Sequence, residues 1–466
     1  MSIHAVLTNV DADLDEAVER LFDLIRIPSV STVPAHQDDC RRAAEWSCGQ
    51  LRALGFTASV RDTPGHPMVV GHYVPAALAP SIPHVLFYGH YDVQPADPLE
   101  RWDSAPFEPV RRRDSDGLER LYGRGMSDDK GQVMTFLEAC RAYLRVHGAL
   151  PLKITVLLEG EEESGSQNLA PFLKDNRDEL AADVALICDT DMWDARTPAI
   201  TMSLRGLIHE AITVSGPTKD LHSGVFGGPA VNPIRVLAKV LAGLHDDDGR
   251  VTLPRFYDDV PEPSAELRRK WAALDFSTEA FLGGVGLTTP AGEKDYSALE
   301  QMWCRPTAEF NGIFGGNTTP AERSVLAATA TAKLTFRLVG QQDPEKIRAS
   351  FRRYAASMMP PDCRVSFRGE GGSGAVAVDE NNRFLTAVST ALQEEWAREP
   401  VLKGSGGAIP VVRYIKEILG INSIMPGFAL EDDAIHAPNE KYNLDSFHRG
   451  IRSWVRVLDK ISREVS

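Results

Sequence analysis

The feature that most constrains this chain is an apolar, strand-like run followed at once by histidine or acidic residues, and it occurs three times. Val85-Leu86-Phe87-Tyr88-Gly89 leads into His90 and Asp92. Residues 152–158 lead into Glu161-Glu162-Glu163, and Val184-Ala185-Leu186-Ile187-Cys188 leads into Asp189. Short apolar runs of this length read as buried strands. In open α/β sheets, ligands bind outside the carboxyl ends of the strands. Three strands that deliver His, Glu and Asp to that edge build a pocket rich in metal-binding groups, which points to metal-dependent hydrolysis.

The rest of the pattern fits that frame. A helix from Asp129 to about Leu144 carries Val133, Phe136, Leu137 and Cys140 on one face, and residues 11–27 form a second apolar stripe that ends before Pro28. Strands alternating with helices predict an α/β class with a mainly parallel sheet flanked by helices. The character changes near residue 205. A strand at 208–214, a helix at 230–244 and a strictly alternating strand at 328–338 follow, the last with Arg337 on its polar face. A helix at 344–358 and a strand at 364–367 complete a β-α-β-β-α-β order, a ferredoxin-like α+β sandwich with its helices on one face. The glycine-rich run 369–374 reads as its exit, after which a helix at 381–397 and a strand at 421–425 return to α/β style. With 466 residues the chain exceeds one hydrophobic core. The expected domains are 1–204, an insertion at 205–374, and 375–466.

Composition narrows the partners. Apolar residues make up 43% and charged residues 25%, an ordinary globular profile. A net charge of −15 argues against nucleic acid, which draws on clustered Lys and Arg. The start of the chain lacks the basic residues and long apolar core of a secretory signal, and no window holds eighteen consecutive apolar residues, so no membrane partner is expected. Six cysteines without a C-x-x-C pair read as the reduced thiols of a cytoplasmic protein, with Cys188 a buried strand-end thiol.

Four segments carry chemistry, each beside a plainer reading. In Gly89-His90-Tyr91-Asp92, His90 can bind a metal while Asp92 accepts its other ring N–H, against a satisfied core histidine with a surface Asp. In the Gly-bounded loop 123–131, Asp128 can bridge two cations, whereas Asp129 fits a helix cap and dipole partner. Glu161-Glu162-Glu163 is a solvated acidic loop unless its place at a buried strand end seats a cation. Adjacent side chains diverge there, so one carboxylate can bind metal while its neighbour acts as general base. The loop 432–440, with His436, is a weak signal alone.

Together, GHYDVQP (89–95), GRGMSDDKG (123–131), EEESGS (161–166), KDLHSGVFGG (219–228) and IHAPNEKY (435–442) stand in an order that resembles the M20 family of metallopeptidases, in its cytosolic dipeptidase and carnosinase-like branch. The resemblance covers nearly the whole chain. It implies that His90, Asp189 and a bridging Asp128 hold one divalent metal and that Asp128, Glu163 and His436 hold a second. It implies Glu162 as general base and Asp92 as the partner of His90, and it leaves Glu161 unused. It implies a homodimer in which the inserted domain is a lid and dimerisation domain, with His222 reaching the partner subunit's active site. Arg337 matches a clamp on the substrate's carboxylate, where a bidentate guanidinium fits well. Asn311 matches a lid segment, and Ser324, Gly406 and Gly407 match segments that line the substrate.

Three carboxylates and two imidazoles suit Zn²⁺, and also Mn²⁺ or Co²⁺. Two metals about 3.5–4 Å apart can share a hydroxide and polarise a carbonyl, while Glu162 takes the water's proton and passes it to the leaving amine. The implied function is hydrolysis of a dipeptide or short peptide with a free carboxylate. An N-acyl or N-carbamoyl amino-acid amidohydrolase is the alternative on the same centre. A non-catalytic metal scaffold ranks behind both, because the base and every ligand are present. There is no G-x-S-x-G and no Gly-Lys pair, which excludes serine-hydrolase and P-loop readings. Two departures bear on the substrate. Ser324-Val325-Leu326-Ala327 stands where the branch commonly has Thr-Val-Ile-Pro, and Gly406-Gly407-Ala408-Ile409-Pro410 stands where it has Gly-Gly-Ser-Ile-Pro. Ser324 keeps a hydroxyl; Ala408 loses one.

Overall fold

The main sheet is built from the apolar runs. In order, seven of its nine strands are Thr57–Arg61, Met68–Tyr73, Lys153–Glu159, His84–His90, Val184–Ile187, Ser423–Gly427 and Ala199–Leu204, in a computed structural model that describes residues 3–76, 82–407 and 409–464. The four central strands are parallel neighbours: His90 lies opposite Glu159, Tyr88 opposite Ile187, and Ser423 opposite Ala185. Their residues are buried on both faces, as strands covered by helices on each side must be. The parallel expectation therefore holds at the centre, and the sheet as a whole is mixed. Thr57–Arg61, Met68–Tyr73 and Lys153–Glu159 pair antiparallel, and Ala199–Leu204 pairs antiparallel with Ser423–Gly427. The 62–67 connection explains one flank, since it is too short for the crossover a parallel pair needs.

Helix Lys130–His147 runs one turn beyond its expected end, to Gly148 in the left-handed region at φ 69°. It lies against strand His84–His90 through stacked Phe87 and Phe136, 3.8 Å between ring centres. Trp454, from helix Leu444–Ile461, meets both rings edge-on at 5.7 and 5.4 Å and donates its indole N–H to Thr135 Oγ1 at 3.0 Å. A buried indole is stable there because its one polar atom has a partner. Gly89 permits the close approach at the strand end. A Cβ there would fall 2.4 Å from Val133 Cγ2 and 2.8 Å from Asp129 Oδ2. At the amino end the stripe at 11–27 is helix Leu14–Ile25, preceded by Ile3–Ala12, whose Val6, Leu7 and Val10 are also buried.

The chain divides into two units. The larger comprises Met1–Met202, Val378–Lys403 and Pro410–Ser466; the smaller comprises Ser203–Ala377 and, from a separate part of the chain, Gly404–Ile409. The smaller unit holds an antiparallel sheet in the order Thr307–Gly315, Thr329–Leu338, Gly206–Ser215, Arg364–Arg368. This is the strand order of the expected ferredoxin-like βαββαβ unit. Alternation sends Ile208, Ile212, Val214, Leu334, Phe336 and Leu338 to one face, where helices Pro233–Ala242 and Pro344–Ser357 cover them with Leu237, Leu241, Ile347 and Phe351. The opposite face carries His209, Thr213, Thr335 and Arg337 beside Leu207.

Candidate metal centre

The parallel central strands end at one edge of the larger unit's sheet, and the edge collects the acidic and histidine residues. His90 is the last residue of its strand, Glu162 and Glu163 open the short turn Glu162–Ser164, and Asp189 lies two residues past Val184–Ile187. Asp128 ends the Gly-bounded loop ahead of helix Lys130–His147, and His436 sits in the loop beyond Glu431–Asp433. Potential donor atoms of His90, Asp128 and Asp189 all lie within 4.8 Å of one another, as do those of Asp128, Glu163 and His436. Asp128 belongs to both groups. Its Oδ1 is 3.1 Å from His90 Nε2 and its Oδ2 is 2.8 Å from His436 Nε2, while Glu163 Oε2 is 3.2 Å from the same His436 nitrogen.

Supporting bonds set the orientation of these groups. His90 Nδ1 faces the backbone oxygen of Asp92 at 3.0 Å and the Asp92 carboxylate at 3.4 Å. Two acceptors on that side hold a ring proton on Nδ1 and turn Nε2 toward Asp128. The Asp92 carboxylate accepts the N–H groups of Glu162 at 3.3 Å and Glu163 at 3.1 Å, so it also fixes the acidic turn. Gln94 donates to Glu163 Oε2 at 2.7 Å. Glu161 turns the other way, accepting from the His66 and Asn168 backbone N–H groups at 3.0 and 3.2 Å and from the Asn168 amide. That divergence is how three consecutive glutamates coexist. The helix-cap reading of Asp129 fails: it makes no side-chain cap, and its Oδ2 instead accepts the His90 N–H at 3.1 Å.

One buried residue was not singled out from sequence. Glu440 Oε1 accepts the N–H groups of Ser127 and Asp128 at 2.9 and 3.1 Å, and Oε2 accepts Gly125 N–H at 2.9 Å and Arg124 Nη1 at 2.7 Å. It thereby ties the Asp128 loop to the His436 loop. The latter passes through the left-handed region at Ala434, His436 and Asn439, with φ of 55°, 60° and 64°. Such residues cost on the order of 1–3 kcal/mol each and persist only where the surroundings hold them. Arg124 Nη2 donates to Ala437 O at 3.3 Å, and Asn439 Oδ1 accepts Asp103 N–H at 2.8 Å. In the sequence Glu440 stands only as one residue of the IHAPNEKY segment, four residues after His436.

The electrostatics favour positive charge among these carboxylates. Burial drives the Asp189 carboxyl well above its usual range, and neighbouring Asp129 pushes it further. Burial, then the nearby Glu163 and Asp92 charges, raise Glu162 to about 7 despite His90. Burial opposes charge on His90, yet the Asp128 and Asp92 side chains hold its pKa well above the ordinary value; hydrogen bonds that His436 donates to Asp128 and Glu163 take its own pKa up to about 10. Glu163 Oε1 and Asp129 Oδ1 are buried acceptors without a hydrogen-bond partner. Carboxylates crowded in this way are stable when positive charge lies among them. Two imidazoles and three carboxylates arranged around a shared Asp128 fit a pair of divalent ions.

The remaining predicted residues lie in the smaller unit. His222 is exposed and pairs with Val325 across a two-stranded ladder, and Ser223 N–H donates to Ser324 O at 3.0 Å, so His222 and Ser324 are neighbours. His222 Nδ1 accepts Gly224 N–H at 3.0 Å. Asn311 lies in a bulge of strand Thr307–Gly315 and accepts from the Thr335 hydroxyl. Arg337 is half-buried on the same sheet. Gly406 and Gly407 lie in the segment that packs with this unit, and Ala408 lies outside the described residues.

Glu440→Gln presents an amide N–H₂ to donors that now share a carboxylate. It is expected to weaken metal binding by roughly 10–100-fold, the usual effect of losing a group that orients a ligand. Titration with Zn²⁺ against a competing chelator measures this; native affinity in the variant would show that the loop holds its shape without Glu440.

The likeness to known proteins runs along the chain. Residues 86–460 match the model of peptidase family M20/M25/M40. A Cys-Gly metallodipeptidase of Candida albicans is 29% identical over 456 residues, spanning 94% of this chain and 92% of that protein. The structure of human carnosine dipeptidase 1 is 25% identical with a TM-score of 0.77 and covers 99% of both chains. An M20 family metallo-carboxypeptidase from Sulfolobus solfataricus is 28% identical with a TM-score of 0.78, covering 96% of this chain and 99% of the other. A family match over most of the length, joined to the two ligand groups at the sheet edge, makes this chain a metallopeptidase that belongs to peptidase family M20/M25/M40.

Proposed function

We propose that this enzyme hydrolyses the peptide bond of dipeptides and short peptides with a free carboxylate, using two divalent cations per subunit, Zn²⁺ in the first place and Mn²⁺ or Co²⁺ as substitutes. The observation that carries this reading is the sharing of Asp128 between two ligand groups, His90 and Asp189 on one side and Glu163 and His436 on the other. Cations held there supply Lewis-acid polarisation of the scissile carbonyl and a water that ionises near neutral pH. The place of Glu162 beside Glu163, on a turn whose N–H groups Asp92 holds, supports it as the base: its carboxylate takes the water's proton and delivers it to the leaving amine. The relatives named above, a Cys-Gly dipeptidase, a carnosine dipeptidase and a carboxypeptidase, support a short substrate with a free carboxyl terminus.

In this reading the smaller unit serves as lid and dimerisation domain. Arg337 receives the substrate's carboxylate through a bidentate pair. Asn311, Ser324, Gly406 and Gly407 line the substrate. His222 acts in the partner subunit's site of a homodimer, where its Nε2 supports the developing oxyanion. Six free cysteines, five of them buried, suit a reducing cytoplasmic setting. No described helix is long and apolar enough to cross a membrane.

Glu162→Gln is expected to keep both metals and lose roughly 10²–10⁴-fold or more in kcat on dipeptides. Metal content and turnover, measured side by side, check it, and near-normal turnover would reject Glu162 as the base. The same assay run on N-acetyl amino acids distinguishes the amidohydrolase alternative, which requires those substrates to be preferred. For the shared site, mixing Glu162→Gln with His222→Ala subunits should restore activity, because a heterodimer contains one site with both residues intact. No recovery after confirmed subunit exchange would place His222 outside the partner's site.

A further inference from the structure

Arg337 has a companion. Arg205 immediately precedes strand Gly206–Ser215, and the register of that strand pairs Leu207 with Arg337 and His209 with Thr335. Side chains alternate along a strand, so Arg205, Leu207 and His209 share the polar face of the smaller unit's sheet with Arg337 and Thr335. Arg205 is then the diagonal neighbour of Arg337. Diagonal positions on adjacent strands stand about 7–8 Å apart, within reach of two long side chains. The same face carries the chain of contacts from His209 Nδ1 to Thr335 Oγ1, at 3.3 Å, and on to Asn311.

Space has been kept for the second guanidinium. A Cβ on Gly406 would lie 2.8 Å from Arg205 Nη2, so the glycine at this position leaves room for Arg205. The Arg205 backbone N–H donates to Ser405 O at 3.3 Å, which fixes the glycine-bearing segment beside it. Arg205 Nε is buried and has no hydrogen-bond partner. Burial and the charge of Arg337 bring Arg205 down to about 10, with Glu309 offsetting part of the effect. Leaving a guanidinium donor buried and unpaired beside a like charge is costly. The arrangement is explained when an arriving anion supplies the missing acceptors. One guanidinium takes one carboxylate in a bidentate pair, so two adjacent guanidiniums fit two carboxylates.

We infer that Arg205 and Arg337 form a two-carboxylate site on the smaller unit, which selects substrates and products whose carboxyl-terminal residue is aspartate or glutamate. The inference rests on the reading of Arg337 as the receiver of the substrate's main-chain carboxylate. It adds that Arg205 reads the acidic side chain.

The test compares glutamate with glutamine, which has the same shape without the second charge. Calorimetry on the full-length, Zn²⁺-loaded protein should show L-glutamate binding about tenfold or more tighter than L-glutamine, the scale of a charge-assisted hydrogen bond. Arg205→Met should bring that ratio close to one, with the larger loss on glutamate, and Arg205→Lys should retain part of it. Arg337→Met should weaken both ligands alike. The kcat/KM ratio for Ala-Glu over Ala-Gln should follow the binding ratio through the same variants. A native ratio near one, a ratio that survives Arg205→Met, or an equal loss for both ligands in that variant overturns the inference. The native ratio and the Lys variant decide the matter even if the Met variant does not fold. Glutamate preference that depends on Arg205, with no dipeptide cleaved, would refute the dipeptidase reading and leave the site standing. Cleavage of dipeptides without Glu/Gln discrimination would refute this inference alone.

Discussion

The centre depends on one carboxylate. Asp128 places its two oxygens against two imidazoles that come from opposite ends of the chain, His90 at the end of a central strand and His436 in a loop over three hundred residues later. Burial by itself would neutralise Asp128, and the hydrogen bonds from both histidines keep it ionised, well below the usual carboxylate range. Its backbone is fixed independently, since Glu440 accepts the N–H groups of both Ser127 and Asp128. Position and charge of the shared group are thus set by different contacts.

The surrounding fold serves that arrangement. Phe87, Phe136 and Trp454 lock helix Lys130–His147 onto strand His84–His90, and Gly89 lets the helix start approach the strand end. The loop that carries Asp128 consequently lands beside His90. A second buried network holds the other side: Asp433 accepts Ser127 Oγ at 2.8 Å and Lys441 Nζ at 2.6 Å, tying the Asp128 loop once more to the chain around His436. Left-handed backbone at His436 is tolerable inside this frame.

Most of the larger unit was legible in sequence because its central strands are buried on both faces and appear as continuous apolar runs. The residues that follow such runs had to lie at the sheet edge, so His90, the acidic run at 161–163 and Asp189 could be read directly, while the family resemblance picked Glu162 and Glu163 out of that run and added His436. Glu440 could not, because three of its four bonds go to backbone N–H groups more than three hundred residues away, and backbone donors leave no mark on side-chain type. Asp129 misled for a related reason: Asp before a helix suits a cap, and only the structure turns its carboxylate toward the His90 N–H. The antiparallel flanks depend on pairing partners rather than on local pattern. The strict alternation at 328–338 exposed Arg337, whereas Arg205 sits where the sequence changes character and reads as a boundary. Nothing local ties Gly404–Ile409 to a unit whose other residues lie earlier in the chain.

In the proposed centre Asp128 is a ligand of both cations, which makes a demand that separate sites do not: removing it must affect both. Metal content per chain, measured after equilibration with Zn²⁺ buffered by a competing chelator, tests this directly on the native protein and on Asp128→Asn. Two ions per native chain, with both lost together from the variant over the same range of free Zn²⁺, is the result expected of a centre organised around Asp128. A native chain that binds one ion, or a variant that keeps one at native affinity, would contradict it.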